Sequence, residues 1–125
     1  MSRWEGILID TEESIEAVAR VIGGFIGASF THDQEGDLVA SFDRTAGVWL
    51  RDADFEDEPG LPLSSYRYAL LIRDTDHTGA HYYASQEETA RQVYDLLVTR
   101  TRWRLWLLFD DMQVSVARRN AHTAA

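Results

Sequence analysis

The densest grouping of side chains able to do chemistry is Asp74-Thr75-Asp76-His77-Thr78-Gly79, with His81 close behind. Oxygen ligands at alternate positions converge on calcium when a loop wraps around the ion, and such a loop needs a bidentate glutamate at position 12. Counted from Asp74, that position is Ser85. The segment also follows an expected strand rather than a helix. His77 and His81, with Asp74 and Asp76 beside them, are ligand types that transition metals accept. A loop does not force two imidazoles onto one face as a helix does, and no His-Glu-x-x-His pattern is present. The segment therefore reads as an Asx-rich connection between strand and helix, with no metal and no cofactor expected. His32 and His122 stand in polar surroundings and add no ligand set.

Asp74, Asp76 and Thr78 resemble the Asp-x-Asp-x-Thr of aspartyl-phosphate phosphatases, in which one carboxylate attacks phosphorus beside magnesium. Such sites use a lysine to neutralise charge, and this chain contains no lysine at all. That absence also excludes Schiff-base chemistry and a P-loop lysine. The absence of cysteine excludes disulfides, thiolate catalysis and Cys-ligated zinc. No Gly-x-Ser-x-Gly elbow occurs, and Ser41, Ser64 and Ser65 lack any link to a base. Gly23-Gly24 and Gly27 lie late in a helical pattern, so they read as packing or termination, not as a phosphate loop. No pair of carboxylates stands out in an apolar setting that would raise a pKa. The chain is expected not to be an enzyme.

Charge gives a more definite direction. Twelve arginines against 21 acids leave a formal charge of -9. Residues 33–58 carry Asp33, Glu35, Asp37, Asp43, Asp52, Asp54, Glu56, Asp57 and Glu58 against Arg44 and Arg51. Such a field attracts a basic protein and repels phosphate backbones. Arg100, Arg102, Arg104, Arg118 and Arg119 read as snorkelling, paired or edge-blunting residues, not as a nucleic-acid patch. Trp49 precedes the acidic stretch and alternates with Val48 and Leu50, which leaves open whether it is core or lies exposed beside the carboxylates. An aromatic anchor among carboxylates makes a plausible hot spot. The expected partner-binding set is Trp49, Asp52, Asp54, Glu56, Asp57 and Glu58.

The elements that must position these groups follow from periodicity. Gly6–Ile9 reads as a short strand or extended lead-in. Asp10 or Thr11 is expected to cap a helix whose apolar stripe is Ile15, Val18, Ile22, Phe25 and Ile26. Leu38–Phe42 and Gly47–Arg51 read as a hairpin, and the stretch from Asp52 to Pro62 as a solvent-facing loop. Tyr66–Ile72 reads as a central strand because its apolar end is continuous. Ser85-Gln86-Glu87-Glu88 has capping-box spacing before a helix with Ala90, Val93, Tyr94, Leu97 and Val98 on one side. Trp103, Leu105, Leu107 and Phe109 share the core face of a last strand, with Trp106 on the other face. Met112–Ala117 is expected to add a short edge element. The expected architecture is one α+β domain over residues 1–117 with a flexible tail over 118–125. Two helices would cover one small, mostly antiparallel sheet of four or five strands. No run approaches the roughly 20 apolar residues of a membrane span, and no signal peptide is evident, so cytoplasmic residence is expected.

In layout the chain resembles the small acidic immunity proteins of bacterial polymorphic toxin systems. The resemblance rests on Trp4-Glu5-Gly6-Ile7-Leu8, the helix from Glu12, the Leu38–Arg51 hairpin, and Tyr68-Ala69-Leu70-Leu71-Ile72 before the Ser85 helix. It implies tight, non-covalent neutralisation of a cognate toxin. Two other roles stay open. One is a structural or regulatory module that joins a larger complex or self-associates, burying Trp106. The other is a metal-dependent enzyme using Asp74, Asp76 and His77 or His81.

Overall fold

The computed structural model describes residues 3–42, 46–57, 59–74 and 82–119. They form an α+β fold: one antiparallel sheet of seven strands with two helices. In chain order the elements are β1 (Glu5–Asp10), α1 (Ile15–Ile26), β2 (Thr31–His32), β3 (Leu38–Phe42), β4 (Ala46–Asp52), β5 (Tyr68–Asp74), α2 (Tyr82–Arg100), β6 (Arg104–Phe109) and β7 (Val114–Arg119). A single 3-10 turn, Leu63–Ser65, precedes β5. The strand order is β2-β3-β4-β5-β1-β6-β7. Among the described residues no helix is long and apolar enough to cross a membrane.

The sheet is larger than the four or five strands expected, for three local reasons. Gly6–Ile9, read as a possible lead-in, is the middle of β1, which pairs with both β5 and β6. Thr31 and His32 add a two-residue edge strand too short to leave a periodic signature. β7 runs through Arg118 and Arg119, two residues into the expected tail, because it pairs with β6 as far as Leu105.

Both faces of the sheet are covered, and this explains the uninterrupted apolar runs in β1, β5 and β6. On one face Ile7, Ile9, Val48, Leu50, Leu70, Ile72, Leu105 and Leu107 pack with Val18 and Ile22 of α1 and with Val93 and Leu97 of α2. α1 lies against β3 and β4, while α2 lies across β5, β1 and β6. On the other face Leu8, Ala69, Leu71, Trp106, Leu108 and Met112 form a second core. No helix covers it. Leu63 and Tyr66 complete that core from the β4–β5 connection, and Ala53, Phe55 and Leu61 pack on it. The stretch expected to be a solvent-facing loop is thus half of a lid.

Both helix starts differ from expectation. Ser14 caps α1, its hydroxyl accepting the Ala17 N–H at 3.2 Å. Asp10 stays in β1, where it meets Arg104 at 3.4 Å, and Thr11 accepts the Glu13 N–H in the turn. α1 ends at Gly27, whose φ of 71° is the left-handed conformation that glycine adopts without strain. α2 begins at Tyr82, so Ser85 lies inside the helix and does not cap it. Helical structure continues upstream because Gln86, fully buried, is drawn onto the start of β1.

Candidate functional site

The acidic surface is built by alternation along an extended segment. Asp52 ends β4 with its side chain exposed. Beyond it, Ala53 and Phe55 turn inward onto the second core, and Asp54 and Glu56 turn outward. The Ala53 N–H donates to the Arg67 carbonyl at 2.9 Å, which ties the segment to the start of β5. Asp57 is exposed, but it accepts the Ser64 N–H at 2.8 Å and so braces the 3-10 turn. Hydrogen bonds from the Ser64 backbone and side chain hold its carboxyl below the usual aspartate range. Asp52, Asp54 and Glu56 form no ion pair among the described residues. Four of the six expected partner-binding residues, Asp52, Asp54, Glu56 and Asp57, therefore lie along one anchored segment. Glu58 lies outside the described residues.

The structure places Trp49 away from the outward carboxylates. It is half-buried on the helix-free face, and its indole lies back over Gly47, away from Asp52. A Cβ on Gly47 would stand 2.8 Å from the Trp49 Cη2 atom, so only glycine admits this close approach. Among the described residues the charged groups beside Trp49 are cations. The Arg73 guanidinium sits 5.9 Å from the Trp49 ring centroid and 5.6 Å from that of Trp4. Arg51 lies 5.9 Å from the Trp4 ring and pairs with Asp37 at 2.7 Å. Trp4, Trp49, Arg51 and Arg73 line a hollow of about 180 Å³. The sheet register explains the grouping: Gly47 opposes Arg73 and Trp49 opposes Leu71, while β1 brings Trp4 alongside from the other flank of β5. Residues this far apart in sequence gave no linear signal.

Trp4 is held by a polar cluster that sequence reading missed. Glu5, an acid at the start of an apolar run, is fully buried. Its carboxylate accepts from Arg3 Nε at 2.9 Å and Nη2 at 2.7 Å, from the Gln86 side-chain amide, and from the Asp110 N–H at 2.9 Å. Burial opposes the Arg3 charge, but hydrogen bonds to Glu5 and Glu87 outweigh it and keep its pKa above the ordinary arginine value. The adjoining β6–β7 turn places Asp110, Asp111 and Met112 at φ of 57°, 54° and 68°. Three successive left-handed residues other than glycine are disfavoured by roughly 1 kcal/mol each. Trp4 holds the turn by donating to Asp111 Oδ1 at 3.0 Å and accepting the Asp111 N–H at 3.0 Å.

The remaining candidates separate cleanly. Asp74 ends β5, but its side chain and residues 75–81, including Asp76, His77, Thr78 and His81, lie outside the described residues. Among the described residues no group of three or more His, Asp or Glu side chains could hold a metal. His32 is exposed, with Nδ1 3.2 Å from the Gly36 carbonyl oxygen. Trp106, the contact that self-association would bury, is only 1% exposed within the single chain. Its Nε1 donates to Ser115 Oγ at 2.7 Å, and Arg118 stacks on its ring. The C-terminal arginines form no patch of one kind. Arg119 donates to the Val98 and Trp103 carbonyls, Arg104 to the Ser65 carbonyl, and Arg100 lies over Phe25.

No protein-family model, curated protein or solved structure matches the chain.

Proposed function

We propose that this chain is a non-enzymatic binding protein that neutralises a basic protein by laying its acidic segment over the partner's functional cleft. The observation that carries the reading is the alternation from Asp52 to Asp57. Inward residues anchor the segment, and the outward carboxylates stay exposed without internal cations among the described residues. Anions held on a braced backbone steer a cationic partner and lose little conformational entropy when they pair. The layout resemblance to small acidic immunity proteins makes a cognate toxin the partner class to seek. Trp49, half-buried with Arg73 over its ring, is left out of this contact surface.

The test is capture from the native cell, followed by binding kinetics on the purified partner. Asp52→Asn, Asp54→Asn and Glu56→Gln are combined, with Asp57 left intact because it braces the turn. The expected result is a basic partner whose association slows about tenfold or more in the triple variant and with added salt. Retention of only copies of the chain itself, or an association rate indifferent to both changes, would refute the proposal.

A further inference from the structure

The hollow bounded by Trp4, Trp49, Arg51 and Arg73 has no place in the acidic-surface reading and does not rest on it. Five described arginines are half-buried: Arg3, Arg51, Arg73, Arg104 and Arg119. Four of them give N–H groups to oxygen: Arg3 to Glu5, Arg51 to Asp37, Arg104 to Ser65, and Arg119 to main-chain carbonyls. Arg73 has no oxygen acceptor among the described residues, and its guanidinium lies over the two indoles. The Nε atoms of Arg73, Arg51 and Arg104 are all buried without a hydrogen-bond partner among those residues, and of these three only Arg73 also lacks an oxygen acceptor there for its other N–H groups. Buried donors in native proteins are nearly always satisfied, and an orphan one carries a full desolvation penalty.

We infer that this hollow is a binding site for a small planar carboxylate. A guanidinium fork matches a carboxylate bidentately, and two indole walls suit a flat molecule. The volume of about 180 Å³ is below the roughly 300–1,000 Å³ of drug-sized sites, so the ligand is of benzoate size or smaller. The net charge of -9 favours a monoanion over a dianionic phosphate, because the surrounding field repels the second charge. Arg51, already engaged by Asp37, closes the site with its remaining donors, and Arg73 supplies the principal contact.

The experiment titrates benzoate, acetate and inorganic phosphate in separate arms against the isotopically labelled full chain, following the four indole N–H signals by NMR. Trp103 and Trp106 are internal controls, since their indole N–H groups are bonded to Glu13 and Ser115. Benzoate should shift the Trp4 and Trp49 signals saturably and leave the controls in place, with acetate weaker. Arg73→Gln should weaken benzoate about tenfold or more, and Arg73→Lys should fall between, keeping the charge but losing the fork. Trp49→Leu, which leaves Arg73 intact, should weaken benzoate more than acetate. Unmoved control signals in each variant establish that the fold is retained. Absence of a saturable shift with either carboxylate, an undiminished response in Arg73→Gln, or tighter binding of phosphate would overturn the assignment.

Discussion

Replacing Glu5 with alanine tests whether one buried carboxylate organises the end of the sheet that carries Trp4. The substitution removes the acceptor shared by three donors, the Arg3 guanidinium, the Gln86 amide and the Asp110 N–H, of which Arg3 and Gln86 keep other partners. Removing one member of a buried ion pair costs about 3–5 kcal/mol. Arg3 is 21% exposed and also reaches Glu87, so water and a second acid recover part of that loss. The expected destabilisation is therefore about 3 kcal/mol, a large fraction of the roughly 5–15 kcal/mol that stabilises a domain. Glu5→Gln keeps the shape and one acceptor oxygen but turns an amide NH2 toward a donor, and its expected cost is about 2 kcal/mol.

Urea unfolding, with the denaturant slope required to stay constant, measures both values. Amide exchange at Asp110 and Asp111 supplies a second readout. The left-handed turn is held by the Glu5 contact and the two Trp4 contacts, so its opening should become easier in Glu5→Ala than loss of global stability alone requires. A Glu5→Ala protein within about 0.5 kcal/mol of the parent would refute the role assigned to the cluster. So would destabilisation with no selective loss of protection in the turn.

Two further outcomes follow from close packing and burial. Gly47→Ala should destabilise the fold by about 1–3 kcal/mol in urea unfolding, because the new Cβ meets the rigid Trp49 ring, and the penalty should shrink in a Trp49→Ala background. Burial raises the pKa values of Tyr68 and Tyr94 above the ordinary 10.0; stability from this source is complete below pH 10 and falls as pH rises through the folded values, so the urea midpoint should drop less steeply with alkaline pH in Tyr94→Phe.

What sequence made legible was whatever depends on periodicity within one element. The α1 stripe through Val18 and Ile22, the core face of α2, the β3–β4 hairpin and the Leu105-Leu107-Phe109 face of β6 all follow from spacings of 3.6 or 2. The central position of β5 followed from its continuous apolar end. Cap positions were misread because both capping signatures have competing uses: Asp10 serves Arg104, and Ser85 lies in a helix that starts earlier. The candidate site divides along the same line. The acidic run is a linear feature and was visible as such. The environment of Trp49 depends on cross-strand neighbours, and no local pattern says that Arg73 will lie beside two indoles, one from the residue preceding β1 and one from β4. Glu5 was hidden for a related reason, since its partners Gln86 and Asp110 come from elements far along the chain.

The two charge features of this molecule act over different distances, and that is why they can coexist. Exposed carboxylates such as Asp54 and Glu56 create a field that persists over about 8–10 Å at physiological salt, enough to bias the encounter with a cationic protein. A guanidinium fork acts only at hydrogen-bond contact, where the shape of the acceptor and exclusion of water determine its worth. The half-buried setting of Arg73 beside two indoles lowers the competition from water that an exposed arginine would face. A carboxylate would therefore reach the hollow against the long-range field and be held there by geometry. In β4 the side chains of Arg51 and Asp52 leave the strand in opposite directions, so a partner docked on the acidic segment would not fill the contacts of the hollow.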